Sequence, residues 1–241
     1  MSPTETPLLT AFDGTLSSLR LEAVAMGGLV SDQVTTAVRA LLEYDRAAAE
    51  LVLAREQRIN AYDTEIEAES FRLLARHAPV ATDLRTILAI TRAVTDLERA
   101  GDEAKKIARF ALLTIDRTAG DPSVAVHRHL RHMAHLASRM MRLALDALDR
   151  ADASVAHEVA RLDKELDQEF ELALRQLLTV AMEHSRLMRP TIDTVLALKS
   201  LERIGDHAKN VAEHVVFLVS GADVRHARGE SNAAPGLGTQ H

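Results

Sequence analysis

The sequence contains no cysteine and no tryptophan, and aromatic residues make up only 3% of its 241 positions. Without cysteine there is no disulfide, no thiolate nucleophile and no thiolate metal site, a composition that suits a reducing compartment. Scarce aromatics argue against a β-sandwich, which draws on Val, Tyr, Phe and Thr. Ten glycines and six prolines are few for this length, so helices longer than the usual ~11–12 residues are expected. No apolar run approaches the ~18 residues of a membrane span. The opening MSPTETPLL lacks the basic start of a signal peptide. The net charge of −6 comes with no Lys/Arg run interleaved with aromatics, which speaks against nucleic acid as a partner. A cytoplasmic protein is expected, one that reaches a membrane only through its partners.

What the sequence has in abundance is Ala and Leu, with Arg and Glu as the common charges, and an apolar fraction of 47% that can bury a large core. It also repeats itself. LERAGDEAKKIA (97–108) returns as LERIGDHAKNVA (201–212), an offset of 104 with eight identities in twelve positions. At the same offset Asp45-Arg46-Ala47 meets Asp149-Arg150-Ala151, Asp63 meets Asp167, Glu67 meets Glu171, Leu73-Leu74 meets Leu177-Leu178 and Arg85 meets Arg189. A gapless register of this length predicts two copies of one supersecondary unit.

Each copy reads as three helices, predicted at 8–43, 46–77 and 83–116, then at 124–149, 152–184 and 187–220. Pro79 ends the second helix, and TAGDPS (118–123) is the one clear linker. The expected architecture is all-α, two tandem pseudo-symmetric three-helix bundles at 8–117 and 123–220, each running up-down-up. A polar, Gly/Ala-rich stretch at 221–241 is expected to be a disordered tail.

On a helical wheel, Glu98 and Asp102 occupy one shoulder of the third helix, stacked ~6 Å apart. Asp63 and Glu67 occupy the same-handed shoulder of the second. Copy two repeats both pairs as Glu202/Asp206 and Asp167/Glu171, with Asp163 a possible fifth acid where copy one has Ile59. In each hairpin the shoulders either both face each other or both face apart. A turn centred within 79–83 would set Asp63 opposite Asp102 and Glu67 opposite Glu98. Four acids in one groove repel unless some hold protons or a cation joins them. Oxygen-only donors suit iron, manganese, magnesium or calcium rather than copper, with zinc kept as a further candidate. Salt bridges from Arg99, Arg203, Lys105 and Lys209 are the competing way to neutralise these acids. Gly101 and Gly205 sit on the apolar stripes and predict close helix approach.

Other candidates are weaker. HRHLRHMAH (127–135) has no counterpart in the first copy and reads as an exposed polar helix end more readily than as a zinc site. His207 and His214 stand where they could join a metal shell. A carboxylate-bridged dimetal enzyme is disfavoured, because those bundles use Glu-x-x-His motifs and the sequence has none.

Two tandem units, each carrying LER-x-GD-x-A-x-x-I/V-A, resemble the PhoU family. RHAPVATDLR (76–85) is similar to an element of that family's first repeat, and LERIGDHAKNVAEHVV (201–216) to its second-repeat signature. The resemblance covers about residues 12–220. It implies a non-catalytic protein that couples the ATPase of a phosphate ABC transporter to a sensor histidine kinase and lowers phosphate-starvation gene expression. A homodimer is expected with it. It also implies metal clusters on the bundle surface, held here by Glu98, Asp102, Glu202 and Asp206 with Asp63, Glu67, Asp163, Asp167 and Glu171. Glu67 stands where Asp is common, and Ala100 where Ile is usual.

Overall fold

The computed structural model describes residues 5–116 and 124–221, with side chains from 12 to 116 and from 127 to 221. Among the described residues there are six long helices: α1 (Glu5–Glu43), α2 (Arg46–His77), α3 (Ala81–Asp116), α4 (Val124–Arg150), α5 (Ala156–Glu183) and α6 (Met188–Ser220). Short 3-10 turns at Ala153–Val155 and Ser185–Leu187 lead into α5 and α6. No strand occurs among the described residues. The expected linker and all of the expected tail beyond Gly221 lie outside them.

Local chemistry sets the boundaries. Asp45 caps α2 by accepting from the Ala48 amide at 3.0 Å, satisfying one of the unpaired donors of the first turn. α2 closes on Ala78, which takes a left-handed conformation and donates its amide to Leu74 at 3.2 Å. Pro79 follows at once, and Ala81 opens α3 with a second positive φ of 49°. Gly221 ends α6 in the same left-handed way, where glycine carries no Cβ penalty.

Within each copy the three helices pack on one another, and the two copies join through α3 on α6 and α1 on α4. The α3–α6 pairing is the most extensive of any two helices. It is antiparallel, since Asp96 meets His207 while the later residue Glu103 meets the earlier Arg203. A single apolar cluster runs through both copies, from Met26, Ile90 and Leu97 to Met140, Leu201 and Ile204. Gly205 lies against Leu166 and Met140, where a Cβ would collide with Leu166 Cδ2. At Gly101 a Cβ would stand 3.2 Å from Ile59 Cδ1. The close approach read from both glycines is present, tighter in the second copy. No described helix is long and apolar enough to cross a membrane.

Candidate functional site

The carboxylate shoulders of α2 and α3 face each other. Burial raises the Glu98 carboxyl above its ordinary value, with the charges of Asp102, Asp63 and Glu56 adding to the effect. Asp63 is raised by burial and then by Glu67. Lys105 closes the far end of the groove, its Nζ 2.9 Å from both Glu56 Oε1 and Asp102 Oδ1. Burial disfavours ionisation of Asp102, but hydrogen bonding to Lys105 and Glu56 and the charges of Lys105 and Lys106 together outweigh it, and the carboxyl sits below its ordinary value. Lys105 is raised in turn, chiefly by its bond to Glu56.

Copy two builds the same groove between α5 and α6. Burial raises Asp167, and Asp163 and Glu202 add to it. Burial also raises Asp206, with Glu202 and Asp163 adding. Lys209 Nζ donates to Asp163 Oδ2 at 2.5 Å, and Lys199 pairs with Glu202 at 2.6 Å. Offset by 104, the couplings correspond: Asp63 with Glu98 becomes Asp167 with Glu202, and Lys105 becomes Lys209.

The register differs from the expected one by a turn. Asp63 couples to Glu98 rather than standing opposite Asp102, and Asp102 meets Glu56 through Lys105. α3 begins at Ala81, two residues earlier than the sequence pattern places it, which moves the centre of the hairpin toward α2. Glu67 and Glu171 therefore lie one turn further along, exposed, at the margin of each groove. Glu56 is the acid that sequence reasoning misses. Its offset partner is Ala160, so comparing the repeats passes over it. Its signal is spacing, three residues before Ile59 and so on the same helix face, where it supplies the carboxylate that Asp163 supplies in copy two.

The donor set is all oxygen, which suits hard cations, and Glu56 Oε2 is buried with no hydrogen-bond partner. Yet ammonium groups already stand in both grooves. Among the described residues, no three His, Asp or Glu side chains are grouped so as to hold a metal ion. The all-oxygen donor set suits a hard cation, and the lysines balance the acids of each groove only in part.

The histidines go elsewhere. His207 and His214 turn away from the acids to Asp96 on α3, which is 6% exposed in the interface between the copies. His207 Nδ1 and Asn210 Nδ2 lie 2.9 and 3.0 Å from Asp96 Oδ1, and His214 Nε2 lies 2.8 Å from Oδ2. Burial opposes ionisation of Asp96, but these hydrogen bonds hold its carboxyl far below the usual range. The offset of 104 carries Asp96 with His207 onto Ser200 with Glu103. Buried Glu103 likewise meets Ser200, Lys106 and Arg203, which hold it below its ordinary value against the effect of burial. Arg203 is thus engaged across the interface rather than with the acids of its own groove.

His129 also departs from the expected exposed helix end. It is 1% exposed, with Nδ1 2.6 Å from Glu169 Oε1 and Nε2 2.7 Å from Gln176 Oε1. The helix pairing of α4 with α5 buries it, while His132 and His135 remain exposed.

Fold and grooves together define a duplicated six-helix protein with one acidic groove per copy. The chain belongs to the PhoU family: the PhoU domain model matches residues 24–111 and 130–215, one match in each copy. It is 45% identical over 215 residues to the phosphate-specific transport system accessory protein PhoU homolog of Pseudomonas putida, covering 89% of this chain and 83% of that one. It is 34% identical over 219 residues to the phosphate-specific transport system accessory protein PhoU of Escherichia coli K12, covering 91% of this chain and 89% of that one. Among solved structures, PhoU from Pseudomonas aeruginosa superposes with a TM-score of 0.83 at 42% identity, over 88% of this chain and all of that one. The phosphate transport system regulatory protein PhoU from Streptococcus pneumoniae superposes with a TM-score of 0.81 at 28% identity, over 88% of this chain and 99% of that one.

Proposed function

We propose that this protein is a cytoplasmic, non-catalytic regulator of phosphate uptake and signalling. It binds the ATPase of a phosphate-specific transporter and a sensor histidine kinase, and it represses phosphate-starvation genes when phosphate is plentiful. The observation that carries this reading is the likeness to phosphate-specific transport accessory proteins over about nine-tenths of the chain. Acidic grooves in both copies support a binding role, because they offer charge to a basic or cation-bridged partner surface. Self-association as a homodimer belongs to the same reading.

Cation binding is proposed for both grooves. Glu98, Asp102, Asp63 and Glu56 would hold a hard cation in copy one, and Asp163, Asp167, Glu202 and Asp206 in copy two, with Glu67 and Glu171 at the margins. Such an ion would neutralise carboxylates that now share a groove with lysine ammonium groups. Lys105 and Lys209 compete with it.

The test is a phosphate-starvation reporter in phosphate-rich medium, with and without the gene, in wild-type and kinase-deleted backgrounds. Deletion is expected to raise the reporter only when the kinase is present. An unchanged reporter in the single deletion would overturn the repressive role.

A further inference from the structure

We propose that the groove between α1 and α4 binds an anionic ligand that carries two or more phosphate groups. α4 is the one helix of the six with a net positive charge, five Arg against two Asp, in a chain whose net charge is −6. Its Arg131, His135, Ser138 and Arg142 follow one another at spacings of four, three and four, so they share a face. Together with Arg39 of α1 they line a groove of about 360 Å³, within the size range of small-molecule sites. One carboxylate, Glu43, also lines it.

The two α4 arginines that line the groove are free to bind. Among the described residues, Arg131 and Arg142 have no hydrogen-bond or ion-pair partner. Arg139, one position from this face, is instead paired with Glu158. Across the groove, Arg39 is held 3.5 Å from Asp45 at the entrance to α2. Unpaired guanidinium groups facing a concavity in an acidic protein are suited to bidentate capture of phosphate oxygens. Arg131 and Arg142 start ~16 Å apart along the helix. That spacing favours a ligand presenting anionic oxygens along its length over a single orthophosphate. Val38, Leu42 and Ala134 add an apolar wall, which offers a surface to the organic part of a nucleotide. No residue of the acidic grooves takes part, so this site stands or falls separately from the regulatory reading.

The test is calorimetric titration of the purified full chain with inorganic triphosphate, with ATP in magnesium-free buffer, and with orthophosphate. Triphosphate is expected to bind saturably at one site per chain, more weakly as salt rises. R131Q/R142Q is expected to weaken binding at least tenfold, while R109Q, an equal charge change per residue on exposed α3 surface, leaves it unchanged. R131K keeps the charge but loses the fork and is expected to fall between. All three positions are exposed, so the thermal midpoint checks that each variant is folded. ATP binding more tightly than triphosphate would mark a nucleotide site, and equal binding a phosphate-chain site. Failure of both to saturate, equal weakening by R109Q, or orthophosphate binding as tightly as triphosphate would overturn the proposal.

Discussion

Asp96 Oδ2 and His214 Nε2 lie 2.8 Å apart across the interface that joins the two copies. Asp96 accepts in addition from His207 and Asn210, so three side chains of α6 converge on one carboxylate of α3. This is a specific polar contact within an apolar seam, and it fixes how the copies meet. The quasi-equivalent site around Glu103 does the same with Ser200 and Arg203 of α6.

Asp96→Asn is expected to cost about 2–4 kcal/mol, because it removes the charge and turns one of the two acceptor oxygens into a donor, which leaves a buried donor unpaired. The effect depends on pH. Since hydrogen bonding lowers the native carboxyl, the folded state gives up this proton more readily than the unfolded chain. The stabilisation is complete above the unfolded carboxylate value of ~3.9 and fades as pH falls through and below it. Chemical denaturation from pH 7 downward checks this: the gap between wild type and Asp96→Asn should narrow below about pH 4. A gap that stayed constant with pH would show that the ionised carboxylate is not the stabilising element.

The helix glycines should respond differently to the same substitution. Gly→Ala within a helix gains about 1 kcal/mol of propensity. At Gly205 the new methyl meets buried Leu166, and overpacking costs ~1–3 kcal/mol. Gly205→Ala is therefore expected to lower stability by about 1 kcal/mol. At Gly101 the nearest atom is 3.2 Å away at the tip of Ile59, so Gly101→Ala should lie within about 0.5 kcal/mol of wild type. Thermal midpoints of the two variants decide it, and equal shifts would contradict the asymmetry.

Much of this was legible in the sequence, and the limits have physical causes. The offset of 104 finds the duplication, and the apolar period with Pro79 finds the helices. The i, i+4 acids mark the grooves. The wheel cannot say that the shoulders of α2 and α3 meet, because both hands satisfy the same apolar stripes. It also misplaces the pairing by a turn, because the left-handed alanines at 78 and 81 let the hairpin close sooner than Asp83 suggests. Asp96 is hidden for another reason. Its partners lie on a helix more than a hundred residues away, and the repeat puts Ser200 at its offset position. His129 has no counterpart in copy one, so the repeat gives no hint of its burial.

The central proposal, that the two acidic grooves are cation sites contested by lysine, is tested most directly by one measurement. Chelator-stripped protein is titrated with manganese in the calorimeter, for wild type, K105M/K209M and E98A/D102A/E202A/D206A. These positions lie on helix shoulders, and circular dichroism confirms that each variant keeps its helices. Wild type is expected to take up metal in both grooves, and the lysine variant to bind at least tenfold more tightly. The acid variant is expected to lose binding. Metal uptake by the acid variant equal to wild type, or an affinity unmoved by removing both lysines, would contradict the proposal.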